Sequence, residues 1–164
     1  MPQNVMVSVI GEGAYMPQMV RAILSREVIP PRNLFISAKN KGACQAAEGY
    51  PVSICEDDIS ALIKCEITLI VASKREMSTE LAKIAGSAQK RVIVTVCDSE
   101  EVNLAYIQER ISTATEFIAA VLHRDENGKL YATYEISQKA RLFLHQPCRD
   151  LVNAMCDMIN EQAE

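Results

Sequence analysis

Apolar and polar positions fall along this chain in two kinds of block. Short, nearly continuous apolar runs occur at Val5–Ile10, Leu34–Ile36, Val52–Ile54, Ile67–Ala72, Val92–Val96 and Phe117–Leu122. Runs of three to six residues such as these, without strict alternation, predict strands buried on both faces. Between them the apolar residues take helical spacing. Met16, Met19, Val20, Ile23 and Leu24 predict the first helix, with Pro17 tolerable because it falls in the first turn. Further helices are predicted over about 41–48, 57–64 and 76–85. Another runs from Asp98 or Ser99, either of which caps a helix, through Ile111. Strands alternating with helices of this size mean βαβ units and a mainly parallel, doubly wound sheet.

The last third changes character. Asp125-Glu126-Asn127-Gly128 lies between Phe117–Leu122 and Leu130–Ile136. Asn-Gly predicts a type I′ hairpin turn, so an antiparallel strand closes the sheet. Leu151, Val152, Met155, Met158 and Ile159 then form one stripe on a terminal helix opened by Pro147. No linker or repeat interrupts the pattern. The whole of 1–164 reads as one domain: a core over 1–98, sheet completion and hairpin over 99–136, and a terminal helical segment over 137–164.

Composition narrows the classes. A chain of 164 residues, 49% hydrophobic and 23% charged, buries roughly 70% of its unfolded surface without staples. The net charge of -4 argues against a nucleic-acid partner. No apolar run is long enough to span a membrane. The first residues lack the basic start and cleavage region of a signal peptide, so a cytoplasmic protein is expected. Cys44, Cys55, Cys65, Cys97, Cys148 and Cys156 include no CxxC pair and several lie in apolar segments. They read as reduced thiols rather than disulfides. His123 and His145 stand at no zinc-ligand spacing from a cysteine pair.

The candidate chemistry sits after the first strand. Gly11-Glu12-Gly13 follows it directly and opens a helix. In a doubly wound sheet this turn holds a dinucleotide: Gly11 allows the tight turn, Gly13 lets the pyrophosphate approach, and the helix N-terminus faces its charge. Met16 stands where the motif wants a small residue, and Glu12 puts a carboxylate near the phosphates. The bland alternative is a loop whose glycines serve backbone geometry alone. The second strand ends Ser37-Ala38-Lys39-Asn40. With no acid for ribose hydroxyls and a lysine instead, a 2′-phosphate is the better guest, hence NADP(H). The alternative for Lys39 is an ordinary solvated loop residue.

These residues carry a resemblance. Val9-Ile10-Gly11-Glu12-Gly13, the helix bearing Arg21, Pro30-Pro31-Arg32-Asn33 and Ser37-Ala38-Lys39-Asn40 resemble the N-terminal, Rossmann-like domain of the pyrroline-5-carboxylate reductases, which reduce a cyclic imine to proline with NAD(P)H. The resemblance implies cofactor contacts at Gly11, Gly13, Ala14, Tyr15, Met16, Ser37, Lys39, Asn40, Ala72 and Ser73. It also marks departures. Ala72-Ser73-Lys74 stands where that family has a Val-Lys-Pro turn beside the nicotinamide. Cys97-Asp98 replaces Ala-Gly, and Ala120–Arg124 replaces an Arg-x-Met-Pro-Asn stretch. The family's helical second domain, which forms its dimer and substrate pocket, has no counterpart here.

Other chemistry is sparse. No G-x-S-x-G elbow occurs. Asp57-Asp58 reads as a helix cap rather than a carboxylate pair. Asp98 beside Cys97 raises a thiol pKa rather than lowering it. His123 and Arg124 read as a hairpin shoulder, with an anion at the sheet edge as the alternative. No catalytic residue and no metal ligand is assigned. Three readings stand: a degenerate NADP(H)-binding domain that is no reductase on its own; an NADP-dependent oxidoreductase subunit completed by a homodimer or partner chain; and a cofactor-free interaction module. The terminal stripe is expected at a homodimer interface.

Overall fold

A computed structural model describes residues 5–111, 115–137 and 142–163. It contains seven strands: β1 (Val7–Gly11), β2 (Leu34–Ser37), β3 (Ser53–Cys55), β4 (Ile67–Val71), β5 (Val92–Cys97), β6 (Glu116–Arg124) and β7 (Leu130–Ile136). Six α-helices accompany them: α1 (Tyr15–Ser25), α2 (Lys41–Ala46), α3 (Asp58–Leu62), α4 (Lys74–Ile84), α5 (Leu104–Gln108) and α6 (Leu142–Gln162). One sheet runs in the order β3-β2-β1-β4-β5-β6-β7. All neighbours are parallel except β6 and β7. The fold is α/β and Rossmann-like, as expected.

The strand composition explains the layering. Every residue of β1, β4 and β5 is buried, which a central strand needs because helices cover both faces. Val7, Val9, Leu69 and Val94 face one cluster with α1, α2 and α6. Ile10, Ile70 and Ile93 face the other, with Leu62, Met77, Leu81 and Ile107. Two polar groups inside the sheet satisfy each other: Ser8 Oγ and Thr68 Oγ1 are 2.7 Å apart on adjacent strands. The chain order reverses between β1 and β4, so a crevice opens at the carboxyl end of β1.

Several local expectations change. The helix expected from Asp98 or Ser99 to Ile111 shrinks to α5. Ser99 instead closes one turn, its Oγ taking the Glu101 N–H at 3.3 Å and its carbonyl the Val102 N–H. Val102 then drops into the core, and Asn103 starts α5 by accepting the Tyr106 N–H. The hairpin turn is not type I′. Among its residues only Gly128 has positive φ, 78°. The Gly128 N–H donates to the Asp125 carbonyl, and Asp125 Oδ1 accepts from the Asn127 and Lys129 N–H groups. The loop is thus a turn with glycine in the bulge position. Pro147 does not open α6 but lies inside it, where it has no N–H for the carbonyl four residues back.

The terminal stripe also lands elsewhere. Leu151, Val152 and Met155 are fully buried and Met158 nearly so, in the cluster that holds α1 and the sheet. α6 packs along α1 and β7, and each such side chain gains about 1.5–3 kcal/mol from burial. The apolar surface that motivated a homodimer is therefore covered within the subunit. A strong pin is Asn160, whose Oδ1 accepts from the Leu130 N–H and whose Nδ2 donates to its carbonyl, at 2.8 and 2.9 Å. All six cysteines are free thiols, five of them buried. Burial pushes Cys65 and Cys148 up to about 12 and Cys156 to about 11, so none of these three is a nucleophile at neutral pH. No helix among the described residues is long and apolar enough to cross a membrane.

Candidate functional site

The two glycines after β1 serve different needs. Gly11 has φ 134°, and a Cβ there would lie 1.9 Å from the Val71 carbonyl oxygen. That oxygen accepts the Glu12 N–H at 3.1 Å. Gly11 is required by the close approach of β1 to β4, whatever binds nearby. Gly13 has φ 96°, but a Cβ on it would meet only Glu76 Oε1, at 3.7 Å. The space before Gly13 is open.

Ala14 and Tyr15 begin α1. Ala14 is the N-cap, with helical backbone angles and no side-chain hydrogen bond to the first turn. The other helices with described caps differ: Asn40, Asp57, Ser73 and Asn103 each cap theirs through a side-chain oxygen. The first turn of α1 also carries no acid, so its free N–H groups point a partial positive charge at the glycine turn. Pro17, third in the helix, removes only an N–H that would have been free. Met16 is buried and fits because Gly42 of α2 has no Cβ: one would stand 3.1 Å from Met16 Cε.

Beside this turn lies a cleft of about 640 Å³. Its walls come from Gly11 and Glu12, from Ser37 at the end of β2 with Lys39, Asn40 and Lys41 after it, from Asp57 to Ile59 at the start of α3, and from Glu80 and Lys83 of α4. Asn40 holds the walls together: its Nδ2 donates to the Gly11 carbonyl and its Oδ1 accepts the Ala43 N–H, both at 3.1 Å. Ser37 Oγ accepts the Lys39 N–H at 3.1 Å, which turns the chain so that Lys39 stands exposed at the rim. Lys39 and Lys41 take part in no ion pair among the described residues.

Carboxylates crowd the opposite side. Glu12 and Glu76 share a hydrogen bond, which holds Glu12 above the ordinary carboxylate range, with repulsion from Glu76 and Glu80 adding to it, and holds Glu76 below that range. Burial, then Glu80, raises Asp58. Asp57 lies low because the Ser60 N–H bonds its Oδ1 at 2.8 Å, in keeping with the capping role expected of it. Glu80 is buried on α4 and its Oε1 accepts from Lys83 Nζ at 3.1 Å.

Of the residues singled out in the sequence, Gly11, Ser37, Lys39 and Asn40 line the cleft. Gly13, Ala14 and Tyr15 form the adjoining turn, with Met16 buried behind it. Ala72 is buried. Ser73 is engaged in capping α4: its hydroxyl donates to Glu76 Oε1 at 2.8 Å and accepts the Glu76 N–H, an N-cap that starts the helix two residues before the expected Glu76. Glu80 and Lys83 were missed. The signal was present, since Glu80 falls on the same helical arc as the buried Met77, Leu81 and Ile84. Away from the cleft, burial, with Asp98 secondary, raises the Cys97 thiol. His123 bonds Thr133 at 2.8 Å and stacks on Tyr131, and Arg124 donates to the Gly128 carbonyl. Both are committed to the hairpin.

Comparison with known proteins adds the fold's relatives. No family model matches the chain, and no curated protein matches it in sequence. Solved structures do match. A pyrroline carboxylate reductase from Plasmodium falciparum, solved with NADP bound, superposes with a TM-score of 0.74 at 13% identity over 93% of this chain and 56% of its own. A pyrroline-5-carboxylate reductase from Coxiella burnetii gives 0.76 at 10% identity, over 93% and 57%. The chain has the reductases' fold. An imine reductase from Myxococcus stipitatus in complex with NADP+ gives 0.61 at 11% identity, over 92% and 52%. This chain thus spans a little over half the length of each of these proteins.

Proposed function

We propose that this chain binds NADP(H) at the crevice after β1 and is not an imine reductase on its own. One observation carries the reading. Among the α-helices with described caps, the one whose first turn no side chain caps is the helix that leaves the glycine turn, at the point where the sheet order reverses. Free N–H groups there suit a pyrophosphate. Ser37, Lys39 and Lys41 would hold the 2′-phosphate, since β2 ends without an acid and both lysines form no ion pair among the described residues. The reductase structures solved with NADP share the fold. Bound there, the cofactor supplies a hydride donor or acceptor.

The nicotinamide side supports the negative half of the reading. The Ser73 hydroxyl donates to Glu76 Oε1 at the start of α4. The Cys97 thiol is buried and raised. Neither is free to donate to an imine nitrogen. Six free thiols fit work in the reducing cytoplasm. Self-association through α6 forms no part of the reading, because its stripe is already covered. An oxidoreductase subunit completed by another chain is the second reading.

Lys39→Glu tests the proposal. It is expected to weaken NADPH by about tenfold or more, from loss of a lysine–phosphate pair and gain of a repulsion, and to leave NADH within about twofold. Equal losses for both cofactors would overturn the assignment. In parallel, NADPH oxidation with pyrroline-5-carboxylate should stay far below the usual enzyme range of about 1–1000 per second. Turnover in that range defeats the negative half.

A further inference from the structure

Glu80 is placed as no structural role requires. It lies on the buried arc of α4, where Met77, Leu81 and Ile84 fill the core. Its side chain is only 4% exposed. Oε1 is satisfied by Lys83 Nζ at 3.1 Å. Oε2 is buried with no hydrogen-bond partner among the described residues, and the residue lines the cleft. A leucine would fill this arc at lower cost, since an unmatched buried acceptor is expensive. The geometry is that of an acceptor waiting for a donor from whatever enters the cleft.

The neighbours limit what that donor is. A phosphate is repelled by the carboxylate. A divalent cation needs several bare oxygens at close range, and the Lys83 ammonium already sits on this carboxylate. A neutral N–H or O–H group remains. Ile59 lines the same cleft and offers apolar surface, which suits the face of a flat ring. The lysines that follow β2 and Glu80 of α4 line one cleft, as a ring and a 2′-phosphate carried on neighbouring carbons of one ribose require.

Resting on the reading that NADP(H) occupies this cleft, we infer that Glu80 Oε2 accepts a hydrogen bond from the exocyclic amino group of the adenine ring, and that Ile59 packs against that ring. Glu80 thereby selects adenine over a ring that carries a carbonyl oxygen at the same position. The selection is steep because the wrong ring sets oxygen against a buried carboxylate oxygen and leaves both unsatisfied.

The test compares NADPH with its hypoxanthine analogue, in which a carbonyl oxygen replaces the amino group, by calorimetry on the intact chain. The unmodified protein should bind the analogue about 10- to 100-fold more weakly. In Glu80→Gln the amide can turn to accept from the amino group or donate to the carbonyl. The ratio should collapse to within about threefold, with NADPH itself still bound. A residue that only holds Lys83 in place would lose both ligands in parallel and keep the ratio, which would overturn the inference. Equal binding of the two by the unmodified protein overturns it without any variant. So does magnesium binding that disappears in Glu80→Gln while the two nucleotides stay equal, which would make the site a cation site. If neither nucleotide binds, the reading of the cleft as an NADP(H) site fails, and this inference with it.

Discussion

Gly11 and Gly13 read alike in sequence, but alanine at the two positions should fail in different ways. At Gly11 a Cβ would stand 1.9 Å from the Val71 carbonyl oxygen, and ordinary contact begins at 3.4 Å. β1 and β4 would have to part by about 1.5 Å at the centre of the sheet. That movement breaks the 3.1 Å hydrogen bond from the Glu12 N–H to the Val71 carbonyl. Overpacking costs about 1–3 kcal/mol, the unfavourable φ about 1–3 kcal/mol, and the orphaned buried carbonyl about 1–3 kcal/mol. A loss of roughly 4 kcal/mol or more is a large share of the usual 5–15 kcal/mol of a domain. With a shift of about 2–4 °C per kcal/mol for this chain length, the melting temperature of Gly11→Ala should fall by roughly 10 °C or more. At Gly13 only the φ term applies, because nothing lies closer than Glu76 Oε1 at 3.7 Å. Gly13→Ala should cost about 1–2 kcal/mol and remain folded, yet lose NADPH, since the new methyl group occupies the approach to the α1 N-terminus. Thermal melts followed by circular dichroism, with NADPH calorimetry on Gly13→Ala, read both effects. A Gly11→Ala protein as stable as Gly13→Ala would refute the packing argument. Undiminished NADPH binding by Gly13→Ala would refute the placement of the phosphates.

The remaining predictions concern the terminal helix and the acid pair. Met155→Asp with Ile159→Asp should unfold the protein, because Met155 is fully buried against α1 and the sheet and an unpaired buried charge is prohibitive. A folded monomer by light scattering would instead put the stripe at an interface. Glu12→Gln should tighten NADP+ by about two- to tenfold at low salt, since one carboxylate is removed beside the pyrophosphate. The hydrogen bond with Glu76, then repulsion from Glu76 and Glu80, holds Glu12 above its ordinary value, so on acidification it loses its charge over an interval that begins at higher pH than for a free glutamate. NADP+ affinity of the unmodified protein should therefore rise over that interval relative to the variant, and parallel pH profiles would dismiss the effect.

The strands were legible because burial on both faces demands uninterrupted apolar runs: Ile67–Val71 and Val92–Cys97 admit few other structures. The helix caps were legible only where the capping residue stood next to a periodic stretch, as at Asp57. As a cap Ser73 was overlooked because Lys74 and Arg75 hide the helix start, although Glu76 stands three residues on to take its hydroxyl. The objection to Met16 came from reading the turn alone. The room it needs is made by Gly42, twenty-six residues away in sequence. The place of α6 had the same cause: a stripe states that a face is buried but not against what, and the answer is α1. Lys39 was legible as chemistry, while Glu80 was hidden inside a helix whose period looked ordinary.

The central claim is that the cleft after β1 takes a dinucleotide with a 2′-phosphate. A calorimetric titration of the unmodified protein with NADPH and, separately, NADH tests it most directly. The account predicts saturable binding of NADPH at one site per chain, at least about tenfold tighter than NADH, a difference of about 1.4 kcal/mol. NADH bound as tightly as NADPH, or no heat from either up to millimolar concentration, would contradict it.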